Sequence, residues 1–157
     1  MIGNFSAFIF GAVVGSFLNV CIYRLPDKIS IIKPFSRCSH CKKPIRFYDN
    51  IPIVSFFILK GQCRDCGGKI SWRYPLVELI TGVLALLLFL KFGLNLQFLA
   101  AFIFTAALVI ITFIDLDHQI IPDIITLPGI PIFLLAGIFI MKVPWLEAVI
   151  GVLIGGG

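Results

Sequence analysis

Apolar residues fill four stretches of the chain almost without interruption, at 2–23, 72–90, 96–114 and 121–141, and a fifth such stretch opens after Trp145. Runs of about 20 apolar residues have the length at which a helix crosses the hydrocarbon core of a bilayer. Polar residues are gathered between them, in one long segment at 24–73 and in short breaks such as "KFGLN" and "HQIIPD". The break "KFGLN" is too short to hold a domain and predicts a tight turn between neighbouring spans.

Local signals set the ends of these runs. The first closes on "YRLP", with Arg24 as an interfacial anchor and Pro26 as a stop. No basic residue precedes it and no small-residue cleavage pattern follows it, so it reads as a retained transmembrane helix, not a removed signal peptide. Within it, Gly11 and Gly15 form a small-xxx-small face, with Ser16 and Asn19 toward the same end, which predicts helix packing. Pro75 suits the first turn of the second span. The fifth apolar stretch stops at "GVLIGGG", so the chain reads as C-terminally truncated.

Composition narrows the class. With 59% hydrophobic and 13% charged residues and a mean hydropathy of +1.05, the chain has too little polar surface to coat a soluble globule. Its charge is concentrated: segment 24–73 holds eleven of the thirteen Lys and Arg against Asp27, Asp49 and Asp65, an excess of eight positive charges. By the positive-inside rule this segment lies in the cytoplasm, with Met1 and the Lys91 turn on the opposite side. A basic loop also suits nucleic acid, but one so short and so closely flanked by spans reads as a topology signal beside the lipid bilayer, with no nucleic-acid partner.

Fifty residues make too small a core to fold unaided. The expected staple is Cys38-Ser-His-Cys41 and Cys63-Arg-Asp-Cys66, two C-x2-C pairs separated by twenty-one residues. Four thiolates on two turns, with Gly67 and Gly68 behind the second pair, predict a structural zinc site, and a reducing cytoplasm argues against two disulfides. His40 is expected to be exposed and Cys21 to be a small hydrophobe outside the metal site. Gly61 reads as a plain turn. The expected fold class is an all-α polytopic membrane protein, with about four complete transmembrane helices plus a partial fifth and a small cytoplasmic zinc-binding insert. Its divisions are 1–23, the first transmembrane helix; 24–73, the insert; and 74–157, the remaining membrane domain.

The stretch "TFIDLDHQIIPD" places Asp115, Asp117 and Asp123 at the mouth of the third span. Aspartyl proteolysis needs two facing carboxylates, one taking a proton from water while its protonated partner polarises the scissile carbonyl. Asp115 and Asp117 stand about 200° apart on a helix and cannot both face one substrate. Glu78 reads as a favourable anion in the first turn of its helix and Asp123 as an N-cap.

The ordered motifs "GSFLNVCIYRLP", "SRCSHCKKPIRFYDNIPIVSFFILKGQCRDCGGKISWRYPLVELITG" and "IDLDHQIIPDIITLP" resemble the type IV prepilin leader peptidases and N-methyltransferases of bacterial inner membranes, aspartic peptidases of family A24. The resemblance implies an enzyme that removes the basic leader of prepilins or pseudopilins at the cytoplasmic face and methylates the new amine from S-adenosyl-L-methionine. It implies that Asp115 is the first catalytic aspartate, and that a second lies in a Gly-x-Gly-Asp motif missing from this chain. It also associates the methyltransferase half with the insert. No glycine-rich dinucleotide-type loop is present, so the residues that bind the cofactor are left unassigned. The competing expectation is a non-catalytic, membrane-anchored zinc-ribbon scaffold whose acids cap helices.

Overall fold

The computed structural model describes residues 2–32 and 36–155. Met1, expected opposite the insert, lies outside them. Among the described residues seven helical elements follow one another: α1 (Ile2–Arg24), a 3-10 turn (Phe47–Asn50), α2 (Val54–Ile58), α3 (Arg73–Phe92), α4 (Leu96–His118), α5 (Asp123–Phe139) and α6 (Trp145–Gly155). Among the described residues the only extended pairing is two isolated antiparallel bridges in the insert. The protein is all-helical, as the apolar pattern predicts.

Three helices among the described residues, α1, α3 and α4, are long and apolar enough to cross a membrane. The expected fourth span is shorter than its apolar run: α5 holds 17 residues because Pro122 is extended and delays the helix start to Asp123. The third span runs beyond its expected end at Ile114. Nothing in Asp115–His118 breaks a helix, and α4 stops only where Gln119 turns left-handed (φ 53°) and its N–H caps the Asp115 carbonyl at 2.8 Å. At its start Asn95 is the N-cap, accepting from the Phe98 N–H at 2.9 Å.

The main packing interface joins α1 and α3. A Cβ placed on Gly11 would lie 2.5 Å from the Ala85 Cβ and 2.6 Å from the Thr81 carbonyl oxygen, and one on Gly15 would lie 2.8 Å from the Glu78 Cα. Further along, the Asn19 side chain donates to the Tyr74 carbonyl at 3.0 Å. Rising numbers on α1 meet falling numbers on α3, so the two helices run antiparallel, and the small-residue face does pack them together. Leu18, Cys21 and Ile22 of α1, Val77 of α3 and Val109, Ile110 and Ile114 of α4 form the buried cluster behind this seam. Large apolar side chains such as Phe5, Leu87, Ile103 and Phe139 are exposed, as lipid-facing positions are.

Candidate functional site

The insert has almost no core. Between residues 25 and 72 only Ser55 and Phe56 are buried among the described residues. Two turns of the same design take its place. In the first, Cys38 N–H donates to the Lys43 carbonyl and Lys42 N–H to the Cys38 carbonyl, both at 3.0 Å; in the second, Cys63 N–H donates to Gly68 at 2.8 Å and Gly67 N–H to Cys63 at 2.9 Å. Bridges Arg37–Pro44 and Gln62–Lys69 close the two loops, and Lys42 and Gly67 hold the equivalent left-handed positions at φ 59° and 68°. A glycine is natural at the second of these positions.

These turns bring Cys38, Cys41, Cys63 and Cys66 together, their sulfurs all within 4.8 Å of one another. The Cys38 and Cys66 sulfurs are 3.8 Å apart, the separation that a tetrahedral centre with Zn–S of about 2.3 Å requires. The four residues fit zinc as a closed sulfur shell. Cys21 is buried in the helix cluster and contributes nothing to it. His40 is exposed, with its ring lying over Gly68, where an added Cβ would strike it at 2.6 Å. Without metal the sulfurs divide: the Cys41 backbone N–H draws the Cys38 thiol down to about 6. Cys66 is pushed up to about 11; the Gly68 N–H opposes the rise, but lost solvation and the adjoining thiols prevail. Four thiolates cannot coexist in this space unless a cation compensates them.

A second anchor joins the two halves of the insert. Arg64 donates to both oxygens of Asp49 at 2.7–3.1 Å and lies over the Tyr48 ring, 5.6 Å from its centroid. The hydrogen bonds from Arg64 hold the Asp49 carboxyl below the usual carboxylate range. Phe56 packs on Trp72 with centroids 4.6 Å apart, and Gly61 (φ 67°) makes the turn beneath the Phe56 ring.

Glu78 corrects one expectation. It lies in the second turn of α3, not the first, and is buried, accepting from the Ile53 backbone N–H at 2.7 Å. Its role is thus a tie between a membrane helix and the insert, not a macrodipole anion. The sequence signal was an acid one turn inside an apolar run, where burial is costly without a partner. A cavity of about 630 Å³ opens between the insert and the α1–α3 seam, lined by Asn19, Arg73, Glu78 and several cations of the insert, among them Arg24 and Lys69. Asn19 Oδ1 and Arg73 Nε are buried there without a partner. Each such group costs about 1–3 kcal/mol unless something satisfies it.

The acids at the end of α4 separate. Asp115 is exposed on the last turn, with no side-chain hydrogen bond or ion pair among the described residues. Asp117 pairs with Arg73 at the start of α3, as its distinct helical face allows. Asp123 is not an N-cap: Pro122 holds that position without a side-chain bond, and Asp123 is the first helical residue, where its charge still favours the helix N-terminus. The quartet is therefore assembled by the fold, whereas Asp115 stands apart from it.

Residues 9–92 match the family model of the bacterial peptidase A24 N-terminal domain, and residues 102–157 match that of the type IV leader peptidase family. The prepilin leader peptidase/N-methyltransferase of Myxococcus xanthus is 47% identical over 131 residues, covering 83% of this chain and 38% of that protein. The protein of the same name from Neisseria gonorrhoeae is 40% identical over 173 residues, covering 95% of this chain and 60% of its own length. For that of Dichelobacter nodosus the values are 36% over 181 residues, 98% and 63%. The chain thus spans between 38% and 63% of the length of these relatives. No solved structure matches it. On the two adjoining family matches and these identities, the chain belongs to the type IV leader peptidase family, peptidase A24.

Proposed function

We propose that this protein cleaves the leader peptide of type IV prepilins or pseudopilins and then methylates the amine released, with S-adenosyl-L-methionine as methyl donor. The observation that carries the reading is the placement of Asp115: exposed at the end of α4, on the same end of the bundle that the Arg73–Asp117 pair ties to the insert. In this reading the protein sits in the bacterial inner membrane with insert 24–73 in the cytoplasm, and 74–157 belongs to the peptidase domain.

Asp115 supplies one carboxylate of an aspartyl dyad. Deprotonated, it takes a proton from water as the oxygen attacks the scissile carbonyl; its protonated partner polarises that carbonyl and returns a proton to the leaving amine. Asp117 does not serve as the partner, because it is engaged with Arg73 and faces about 200° away. The partner is the aspartate of a Gly-x-Gly-Asp motif, which residues 1–157 do not contain. Cys38, Cys41, Cys63 and Cys66 would hold zinc with four thiolates, a ligand set that would serve to fold the insert and not to activate water. S-adenosylmethionine, when bound, supplies an electrophilic methyl group; the cavity of about 630 Å³ is of a size for such a ligand, and the cations lining it suit its carboxylate.

In a protein extended to include the Gly-x-Gly-Asp motif, Asp115→Asn is expected to lower leader cleavage at least about 100-fold, with zinc content and membrane insertion intact. Asp117→Asn is expected to be milder, since it removes only the tie to Arg73. Near-normal cleavage by the Asp115 variant, or complete loss only at Asp117, would show that the wrong carboxylate has been chosen.

A further inference from the structure

The floor of the cavity between the insert and the α1–α3 seam holds polar groups that the fold leaves unused. Asn19 is 2% exposed; its amide nitrogen donates to the Tyr74 carbonyl, which can only accept, so Oδ1 is left as a buried acceptor without a donor. One turn along α3 from Tyr74, Glu78 receives the Ile53 N–H and has the Ser16 hydroxyl beside it, and an ionised carboxylate still has room for about two further donors. Arg73 spends one guanidinium nitrogen on Asp117, while its buried Nε–H donates to nothing. All three side chains line the cavity.

Backbone strain frames the same place. Ile53, a β-branched residue, is held at φ 62°, ψ −53°, with the Val54 N–H turned back to the Pro52 carbonyl in a γ-turn of the strained hand. The Glu78 carboxylate is what receives the Ile53 N–H in that conformation. Strain of this kind persists only where surrounding contacts over-determine it.

Two acceptors, one of them charged, beside one unspent N–H donor are complementary to a primary α-ammonium group with its adjacent carbonyl or carboxylate oxygen. We propose that Asn19, Glu78 and Arg73 form an α-ammonium subsite: Glu78 and Asn19 Oδ1 receive the ammonium N–H groups, and Arg73 Nε donates to the neighbouring oxygen. The assignment rests on the methyl-transfer reading for the choice of ligands, which offers two sources of this group. One is the free N-terminus of a trimmed polypeptide; the other is the amino-acid end of S-adenosylmethionine.

The test uses the full chain in lipid nanodiscs and two matched pairs of probes. The first is an apolar peptide with a free N-terminus against its acetylated form; the second is S-adenosylmethionine against 5′-methylthioadenosine, which lacks the amino-acid end. In at least one pair the ammonium-bearing member is expected to bind at least about tenfold more tightly. The pair that discriminates identifies the source. In Glu78→Gln, checked for zinc content and helicity, the preference is expected to vanish. Equal binding within both pairs overturns the proposal without any variant, and so does a preference that survives in the folded Glu78→Gln protein. Methyl transfer from labelled S-adenosylmethionine, measured in parallel, separates the two ideas. Discrimination without transfer keeps the subsite and removes the methyltransferase reading, and transfer without discrimination does the reverse.

Discussion

Cys38 and Cys66 occupy the same cluster with opposite proton affinities, and this decides their chemistry when metal is removed. The thiolate is the nucleophile. With its pKa drawn down to about 6 by the Cys41 N–H, Cys38 is mostly ionised at pH 7; Cys66, pushed up to about 11, stays a thiol there. Access alone predicts the reverse order, because Cys66 is exposed and Cys38 only half-buried. In chelated protein at pH 7, iodoacetamide is therefore expected to modify Cys38 before Cys66, to slow at Cys38 as pH falls below about 6, and to spare both when zinc is restored. Peptide mapping by mass spectrometry reads the order; labelling of Cys66 first would mean that exposure, not ionisation, governs the site. The quartet was legible in the sequence because its ligand spacing is local: each C-x2-C pair is one turn, and only the meeting of two turns depends on the fold. Glu78 was misread because its partner Ile53 lies 25 residues away in an irregular segment, where nothing in the sequence reveals a strained N–H in need of an acceptor.

Helices were legible where an apolar run met a local stop, and less so where the stop is conformational. α1 ends with Arg24 near Pro26 as its sequence suggests, but α4 outruns its apolar stretch by four residues until Gln119 adopts a left-handed cap that its residue type does not announce. Gly11 and Gly15 predict a helix-packing face without naming its partner, and the structure supplies the partner, α3, and a steric measure of the contact. At Gly11 the obstacles to a Cβ are the Ala85 Cβ, the Thr81 carbonyl and the Gly82 Cα, none of which can swing aside. Gly11→Ala is expected to force α1 from α3 and to destabilise the bundle by about 1–3 kcal/mol. Gly137→Ala in α5, where nothing lies within 4 Å, is expected to be neutral or slightly stabilising through helix propensity. Thermal unfolding in detergent compares the two; an equal effect at both positions would contradict the close α1–α3 contact.

On the scale of the whole molecule, two independent features put the insert and the end of α4 on one face of the membrane. Charge is the first: the insert carries eleven of the thirteen cations, and the cytoplasmic placement proposed for it follows the positive-inside rule. Connectivity is the second. α1 delivers the chain to the insert, α3 carries it across to the Lys91 turn, and α4 brings it back, where Asp117 meets Arg73. An ion pair between the two ends cannot form across a bilayer, so the parity of the spans and the pairing agree. In the proposed function, this arrangement lets one end of the bundle offer both an aspartate and a cavity to a single incoming chain. It predicts a labelling pattern. After zinc is stripped, a membrane-impermeant maleimide is expected to reach the quartet and a His118→Cys probe in inverted vesicles but not in intact spheroplasts, and a Lys91→Cys probe only from the opposite face. Cys21 is expected to stay unlabelled from either side because it is buried among Leu18, Ile22 and Ile114. Labelling of the quartet and position 118 from different faces would break the parity argument, and with it the reading in which cleavage at Asp115 and methylation beside the insert act on one substrate in sequence.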